Sequence, residues 1–190
     1  CLPSKIIAVG RNYREHAREM DTQVPEYPMI FLKPPSALIT NGDPIILPSQ
    51  STRVEHEAEL VLVVGKRVKD LKPDEIDDAI FGFTIANDVT ARDLQKKDQQ
   101  WSRAKGFDTF CPLGPWLETE FDPSDALISC YVNNELRQLG STKDMVFNPK
   151  QLLAYVSSIM TLEPGDIILT GTPAGVGPIT AGDLVNIHID

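Results

Sequence analysis

Basic residues and long apolar runs are both scarce in this chain, and each scarcity excludes a class of function. Eighteen Lys and Arg residues stand against 27 Asp and Glu residues, which gives a formal net charge of −9. Because no basic patch is available to meet phosphate, we expect no nucleic-acid partner. No apolar stretch reaches the roughly 20 residues that a membrane-spanning helix needs, so we expect no membrane partner either.

Cysteine is also rare. The three cysteines, Cys1, Cys111 and Cys130, are odd in number and lack the paired spacing of a zinc site. We therefore expect free thiols in a reducing compartment and a cytoplasmic location.

What is present is the composition of a folded domain that is rich in strands. The chain has 190 residues, of which 42% are hydrophobic and 24% charged, enough to bury a core. Fifteen prolines and 12 glycines indicate many turns. We predict one α+β domain over residues 1–190, mostly β with short helices. Strand-like patterns lie close to both termini, so we expect both ends to be incomplete.

Apolar runs bounded by turn residues give the predicted elements. The predicted strands are 5–9, 29–33, 44–48, 58–64, 81–87, 128–132 and 166–170. A short polar helix or an ordered loop is predicted at 12–20. Short helices are predicted at 72–80, after a capping box formed by Thr90 and Asp93, and after the pair Asn148-Pro149.

Three carboxylates form the most informative pattern. Glu57 and Glu59 are two residues apart at the head of a strand-like run, so a strand would place both side chains on one face. Asp88 ends a second apolar run, and pairing of the two strands would bring all three acids together. Adjacent carboxylates repel each other unless a cation lies between them, and an all-oxygen site suits one Mg²⁺ or Mn²⁺ ion. The alternative for a Glu-x-Glu pair is a solvated face.

His16 and Glu19 are a candidate general-base pair. Their spacing of three places them on one face of a helix, where a carboxylate can orient the imidazole. The alternative is an ordinary charge pair on an exposed helix. The polar segment around them could also act as a lid that orders over substrate.

Two further features could bind an anion. Lys33, Arg92 and Lys105 could each supply positive charge, although a solvated surface residue is the alternative for each. The glycine-rich segment 171–177 lacks the Gly-Lys-Ser/Thr ending of a phosphate loop and the glycine spacing of a dinucleotide site. Its backbone N–H groups and the Thr172 hydroxyl could instead meet a carboxylate. The alternative is a tight turn.

Five motifs occur together in this chain and point to one family. They are Gly-Arg-Asn-Tyr-Arg-Glu-His at 10–16, Phe-Leu-Lys-Pro at 31–34, His-Glu-Ala-Glu-Leu at 56–60, Asp-Val-Thr-Ala-Arg-Asp at 88–93 and Leu-Thr-Gly-Thr-Pro-Ala-Gly-Val-Gly at 169–177. From Lys5 to Asp190 the chain resembles the fumarylacetoacetate hydrolase family. The branch of acylpyruvases and oxaloacetate decarboxylases is most similar, with the bacterial hydroxymuconate isomerase/decarboxylases beside it.

The resemblance implies a fold and a set of roles. The fold is a rolled mixed β-structure with a metal at its mouth, in a homodimer. The metal ligands fall on Glu57, Glu59 and Asp88, and the catalytic residues on His16, Glu19 and Lys105. The residues assigned to substrate binding are Arg11, Tyr13, Lys33, Arg92, Gln95 and Thr172. Compared with that family, we expect this chain to lack the extra N-terminal domain of many bacterial members and to end before the last strands of the family.

The resemblance also implies a reaction class. The substrate is a small keto-acid anion, whose carboxylate and keto oxygen chelate one divalent ion that stabilises the enolate formed when a carbon–carbon bond breaks. Hydrolysis of an acylpyruvate and decarboxylation of oxaloacetate both fit this chemistry. A hydroxymuconate-type isomerase/decarboxylase is the alternative enzyme, and a metal-dependent keto-acid binding protein without turnover is the alternative from another class.

Overall fold

The computed structural model describes residues 2–190, which form thirteen strands and four α-helices. The strands are β1 (Ile6–Gly10), β2 (Met29–Lys33), β3 (Leu38–Thr40), β4 (Val54–His56), β5 (Ala58–Val64), β6 (Ile80–Asn87), β7 (Thr90–Ala91), β8 (Cys111–Leu113), β9 (Leu127–Val132), β10 (Glu135–Ser141), β11 (Ile167–Leu169), β12 (Gly177–Pro178) and β13 (Val185–Ile189). The helices are α1 (Arg14–Glu19), α2 (Arg92–Asp98), α3 (Ser102–Lys105) and α4 (Pro149–Ile159). None of these helices is long and apolar enough to cross a membrane.

The main sheet has seven strands in the order β2-β1-β11-β5-β6-β8-β3. The pairs β1–β11 and β3–β8 are parallel, and the other neighbours are antiparallel. Two three-stranded sheets accompany it, in the orders β10-β9-β13 and β12-β4-β7. The predicted fold class, α+β and mostly β with a curled mixed sheet and short helices, is confirmed.

Strand β5 lies in the middle of the main sheet and is covered on both faces. Leu60 and Leu62 point into a core that α4 completes with Leu152 and Val156. Val61 points to the opposite face, into a second apolar cluster built on β1 and β11. Burial on both sides explains why the sequence of β5 is almost continuously apolar and does not alternate with polar residues.

Of the two helix starts predicted from capping residues, one is confirmed and one is wrong. The Asn148 side chain accepts a hydrogen bond from the Gln151 backbone N–H at 3.0 Å, and the Gln151 side chain accepts one from the Asn148 N–H at 2.9 Å. Thr90 and Asp93 form no such box, because α2 begins at Arg92 without a side-chain cap. The Asp93 carboxylate instead accepts a hydrogen bond from the Ser51 hydroxyl at 2.6 Å.

Two other predicted elements are also wrong. Residues 44–48 form no strand, since proline at each end has no N–H for a ladder and the Ile46 N–H donates to the Thr109 hydroxyl at 2.8 Å. The helix predicted at 72–80 is replaced by two 3₁₀ turns, Pro73–Glu75 and Asp77–Ala79. The chain cannot continue as a helix there because Ile80 pairs with Val64 as the first residue of β6.

Candidate active site

Pairing of β5 with β6 brings the three predicted carboxylates together. Glu59 lies in β5, whereas Glu57 occupies the single residue between β4 and β5, and Asp88 follows β6 directly. In the β5–β6 register Ala58 lies opposite Asn87, so Asp88 comes to lie beside Glu57 and its N–H donates to the Glu57 carbonyl at 2.8 Å. One ligand oxygen from each acid lies within 4.8 Å of the others, and all three side chains are buried.

Buried cations surround two of the acids. The Lys105 ammonium lies 2.7 Å from a Glu57 oxygen and 2.6 Å from an Asp88 oxygen. Arg92 donates to Glu57 at 2.5 Å and to Glu55 at 2.6 Å. These contacts give the cluster a fixed shape, because each charged donor bridges two acceptors on different elements.

The Lys33 side chain completes the support of Asp88. Its ammonium is fully buried and donates to the other Asp88 oxygen at 2.7 Å and to the Lys105 carbonyl at 2.6 Å. Among the described residues that line the site cavity Lys33 does not occur, and its observed contacts hold a carboxylate and α3 in place. A role in substrate binding stays a prediction. The contact with Asp88 follows from tertiary structure, because Asp88 is 55 residues away in sequence.

The pKa values of Glu57 and Glu59 are shifted in opposite directions. Burial by itself would raise the pKa of Glu57, but Lys105 and Arg92 together outweigh it and hold that pKa well below its usual range. Burial, followed by the negative charges of Asp88 and Glu57, raises the pKa of Glu59 well above its usual range. Within residues 2–190, no cationic side chain is bonded to Glu59, and its bonded partner is the Gly171 N–H at 2.6 Å. It is therefore the acid whose charge is least compensated.

The donor set fits a hard divalent cation. Three buried carboxylates supply only oxygen ligands, and Mg²⁺ and Mn²⁺ prefer such ligands. A cation bonded to Glu59 would relieve the repulsion that raises its pKa. Glu57, Glu59 and Asp88 are thus the residues that could hold one ion.

The predicted histidine pair forms at one wall of the site. His16 and Glu19 both lie on α1, and the Nδ1 of His16 is 3.2 Å from a Glu19 carboxylate oxygen. The Gly175 N–H donates to the same carboxylate, with its nitrogen 3.1 and 3.2 Å from the two oxygens. The glycine-rich loop therefore fixes Glu19, and Glu19 orients the imidazole so that the other ring nitrogen remains available.

A cavity of about 320 Å³ joins these groups. Of the sequence-predicted site residues, those that line it are Arg11, His16, Glu57, Glu59, Asp88, Arg92, Gln95, Lys105 and Thr172. Phe31 and Trp101 add an apolar wall, with their ring centroids 5.2 Å apart. The cavity therefore combines acids, bases and an apolar surface in a space that suits a small anion.

Two predicted substrate-binding residues have other placements. Tyr13 does not line the cavity, and its hydroxyl is buried among the residues of the main core, where no described residue forms a hydrogen bond with it. Burial, with Glu59 and Asp144 nearby, raises its pKa. Arg92 does line the cavity, but its guanidinium is already used by Glu55, Glu57 and the Gln95 side-chain oxygen at 2.6 Å. Arg92 therefore positions other site residues.

Sequence reasoning missed two buried residues next to the site. Glu55 is the second carboxylate on Arg92, and its place two residues before Glu57 was the available signal. Gln138 bonds to Thr172 from β10, 34 residues away, and no local pattern marks it.

The whole motif-bearing part of the chain matches one family profile. Residues 5–190 match the profile described as fumarylacetoacetate (FAA) hydrolase C-terminal. The chain belongs to the fumarylacetoacetate hydrolase family. Among family relatives, an uncharacterised protein of Methanocaldococcus jannaschii is 56% identical over 99% of this chain and 79% of its own length. A mitochondrial oxaloacetate tautomerase of Xenopus laevis is 45% identical over 99% of this chain, which spans 63% of that relative.

Solved structures of the family agree with this fold. A structure of 5-carboxymethyl-2-hydroxymuconate delta-isomerase from Mycobacterium smegmatis aligns with a TM-score of 0.93 and 51% identity, over 100% of this chain and 75% of that one. Fumarylpyruvate hydrolase from Pseudomonas aeruginosa, in complex with Mn²⁺ and pyruvate, aligns with a TM-score of 0.92 and 33% identity, over 99% of this chain and 85% of that one.

Removal of the buried Arg92 guanidinium should lower the free energy of unfolding more than removal of an exposed guanidinium. Arg92→Ala leaves Glu55 and Glu57 buried without their shared cation, and we expect a loss of about 3–5 kcal/mol in the free energy of unfolding. Urea denaturation with a chelator present measures it. Arg103→Ala is the control, because Arg103 pairs with Asp98 at the surface and its loss should change little. Equal losses for the two variants would contradict the structural role given to Arg92.

Proposed function

We propose that this protein is a divalent-metal-dependent enzyme that cleaves a carbon–carbon bond in small keto-acid anions. An acylpyruvate hydrolase or an oxaloacetate decarboxylase fits this description. The observation that supports it is the meeting of three carboxylates, Lys105 and His16 at one cavity of about 320 Å³, with Glu19 bonded to His16. That volume is at the small end of ligand sites, which suits a substrate of a few carbon atoms.

Glu57, Glu59 and Asp88 would hold the ion. When bound, the ion supplies chelation of the substrate carboxylate and its neighbouring keto oxygen and stabilises the negative charge that develops there. The Mn²⁺ and pyruvate in the structure of the Pseudomonas aeruginosa hydrolase support this choice of ion and of ligand class. Arg11 and the Gln95 amide then complete the binding of the anion from the cavity wall.

In hydrolysis, His16 acts as the base. Glu19 holds its Nδ1, so the free ring nitrogen takes a proton from a water molecule that attacks the distal acyl carbonyl. The bond from that carbonyl carbon to the pyruvyl methylene breaks, and its electron pair leaves with the pyruvate enolate. In decarboxylation the same enolate forms by loss of carbon dioxide, and no water attacks.

A second candidate reaction is tautomerisation or isomerisation of a keto acid. The names of two relatives favour it, the oxaloacetate tautomerase of Xenopus laevis and the delta-isomerase of Mycobacterium smegmatis. This reaction only moves a proton between carbon and oxygen or between carbons. His16 has the position to carry that proton, because it lines the cavity beside Glu57.

An activity panel tests both candidates. The purified protein, loaded with Mg²⁺ or Mn²⁺, is given an acylpyruvate, oxaloacetate in its enol and keto forms, and a hydroxymuconate. Pyruvate release with consumption of acylpyruvate or oxaloacetate supports cleavage. Loss of the enol absorbance without pyruvate release supports the second candidate. A chelator should abolish either activity, and binding of these anions without turnover would overturn both.

A further inference from the structure

The Thr172 hydroxyl has two buried partners that fix the position of its hydrogen atom. The hydroxyl donates to the Ala58 carbonyl, with the two oxygens 2.8 Å apart. It accepts a hydrogen bond from the side-chain nitrogen of Gln138 at 2.7 Å. Thr172 is only 3% exposed, so water does not compete freely for these bonds.

The direction of the Gln138 bond is set by the other contacts of its amide. Its nitrogen also donates to the Pro173 carbonyl at 2.8 Å. Its oxygen accepts from the Ala58 N–H at 3.0 Å and lies 3.0 Å from Nδ1 of His56. A flipped amide would face a carbonyl with an oxygen and an N–H with a nitrogen. The nitrogen therefore points at Thr172, and the hydroxyl cannot donate to Gln138.

This arrangement leaves one kind of bond for a molecule in the cavity. A threonine hydroxyl has one donor and two acceptor positions. The donor is used by Ala58 and one acceptor position by Gln138, so only an acceptor position remains. Gln95 can offer the opposite kind of bond, that of a donor. Its oxygen accepts a hydrogen bond from Arg92 at 2.6 Å, which leaves its NH₂ group to donate. Both residues line the cavity.

We propose that Thr172 is a specificity-determining residue that accepts a hydrogen bond from a hydroxyl group, such as the enol O–H, of the bound keto acid. This inference rests on the proposed function and names the tautomer that the site selects. It corrects the expectation that Thr172 donates to a carboxylate. A ligand oxygen without hydrogen would face a lone pair at Thr172, whereas an enol would bond to it.

Two small anions of matched shape test this polarity. Oxalate offers only acceptor oxygens, and oxamate has an NH₂ donor in place of one carboxylate oxygen. Their dissociation constants are measured by calorimetry on the Mn²⁺-loaded protein, as wild type, Thr172→Val and Thr172→Ser. Thr172→Val should weaken oxamate by about three- to tenfold, the range for one hydrogen bond, and oxalate by less than about twofold. Thr172→Ser keeps the hydroxyl and should keep the wild-type ratio of the two constants.

The ratio of the oxamate and oxalate dissociation constants separates a change in hydrogen-bond polarity at Thr172 from general damage to the site. Gln95→Leu removes a cavity donor, and both anions have acceptors for it, so both should weaken while their ratio stays constant. Equal weakening of the two anions by Thr172→Val, or greater weakening of oxalate, would overturn the assignment of Thr172 as an acceptor. Absence of binding by both anions to the wild-type protein would instead overturn the proposed function, and this inference with it.

Discussion

Glu59→Gln is expected to abolish metal-dependent activity while leaving the fold of the ion-free protein intact or more stable. Glu59 is buried beside Asp88 and Glu57, and this environment disfavours its charged form. A neutral amide of the same shape removes that repulsion. Its oxygen can still accept the hydrogen bond from the Gly171 N–H. The ion, in contrast, loses a negatively charged ligand, and we expect its affinity to fall by more than about 100-fold.

Thermal unfolding with and without Mn²⁺ measures both effects. The wild-type protein should unfold at a higher temperature when Mn²⁺ is added, because an ion that binds only the folded state stabilises it. Glu59→Gln should show no such rise, and its unfolding temperature with a chelator should equal or exceed that of the wild type. Glu120→Gln, an exposed carboxylate, is the control and should behave as wild type. An unchanged Mn²⁺ affinity in Glu59→Gln would remove Glu59 from the proposed ligand set.

The parts of the fold that sequence predicts best are those whose cause is local. Strands 29–33 and 58–64 have the bounds that the sequence predicts, because mostly apolar runs end there just before proline or glycine. The Asn148 cap also depends only on residues within three positions. Thr90 and Asp93 have the right spacing for such a cap, but their side chains bond to residues that are distant in sequence. Asp93 bonds to Ser51, and Thr90 bonds to Glu57.

The candidate site shows the same difference between residues placed by local sequence and residues placed by distant partners. The acids could be predicted from sequence because two of them share a strand pattern and the third ends the next strand. The pairing that unites them, Ala58 with Asn87, agrees with that reasoning. Lys33 could not be placed, because nothing local shows that its ammonium is buried against Asp88. The contacts of Arg92 could not be predicted for a similar reason, since its partner Glu55 lies on another element.

His16 should distinguish the three candidate reactions, because they share the same enolate chemistry and differ in how they use a group that transfers protons. His16→Ala should lower hydrolysis of an acylpyruvate by about 10²–10⁴, the usual contribution of a positioned base. Tautomerisation should fall by a similar factor because it also depends on a proton carrier. Decarboxylation of oxaloacetate should fall much less, since carbon dioxide leaves without an attacking water and needs chiefly an oriented carboxylate.

The three rates should be measured at saturating Mn²⁺, because weaker ion binding would lower all of them together. His188→Ala is the matched control, since His188 is exposed on β13 and lies outside the residues that line the cavity. A second variant, Glu19→Gln, should reproduce part of the effect, because it weakens the bond that orients the imidazole. Equal loss of all three reactions in His16→Ala would mean that His16 acts by placing the substrate or by closing α1 over it, and its role as a base would have to be abandoned.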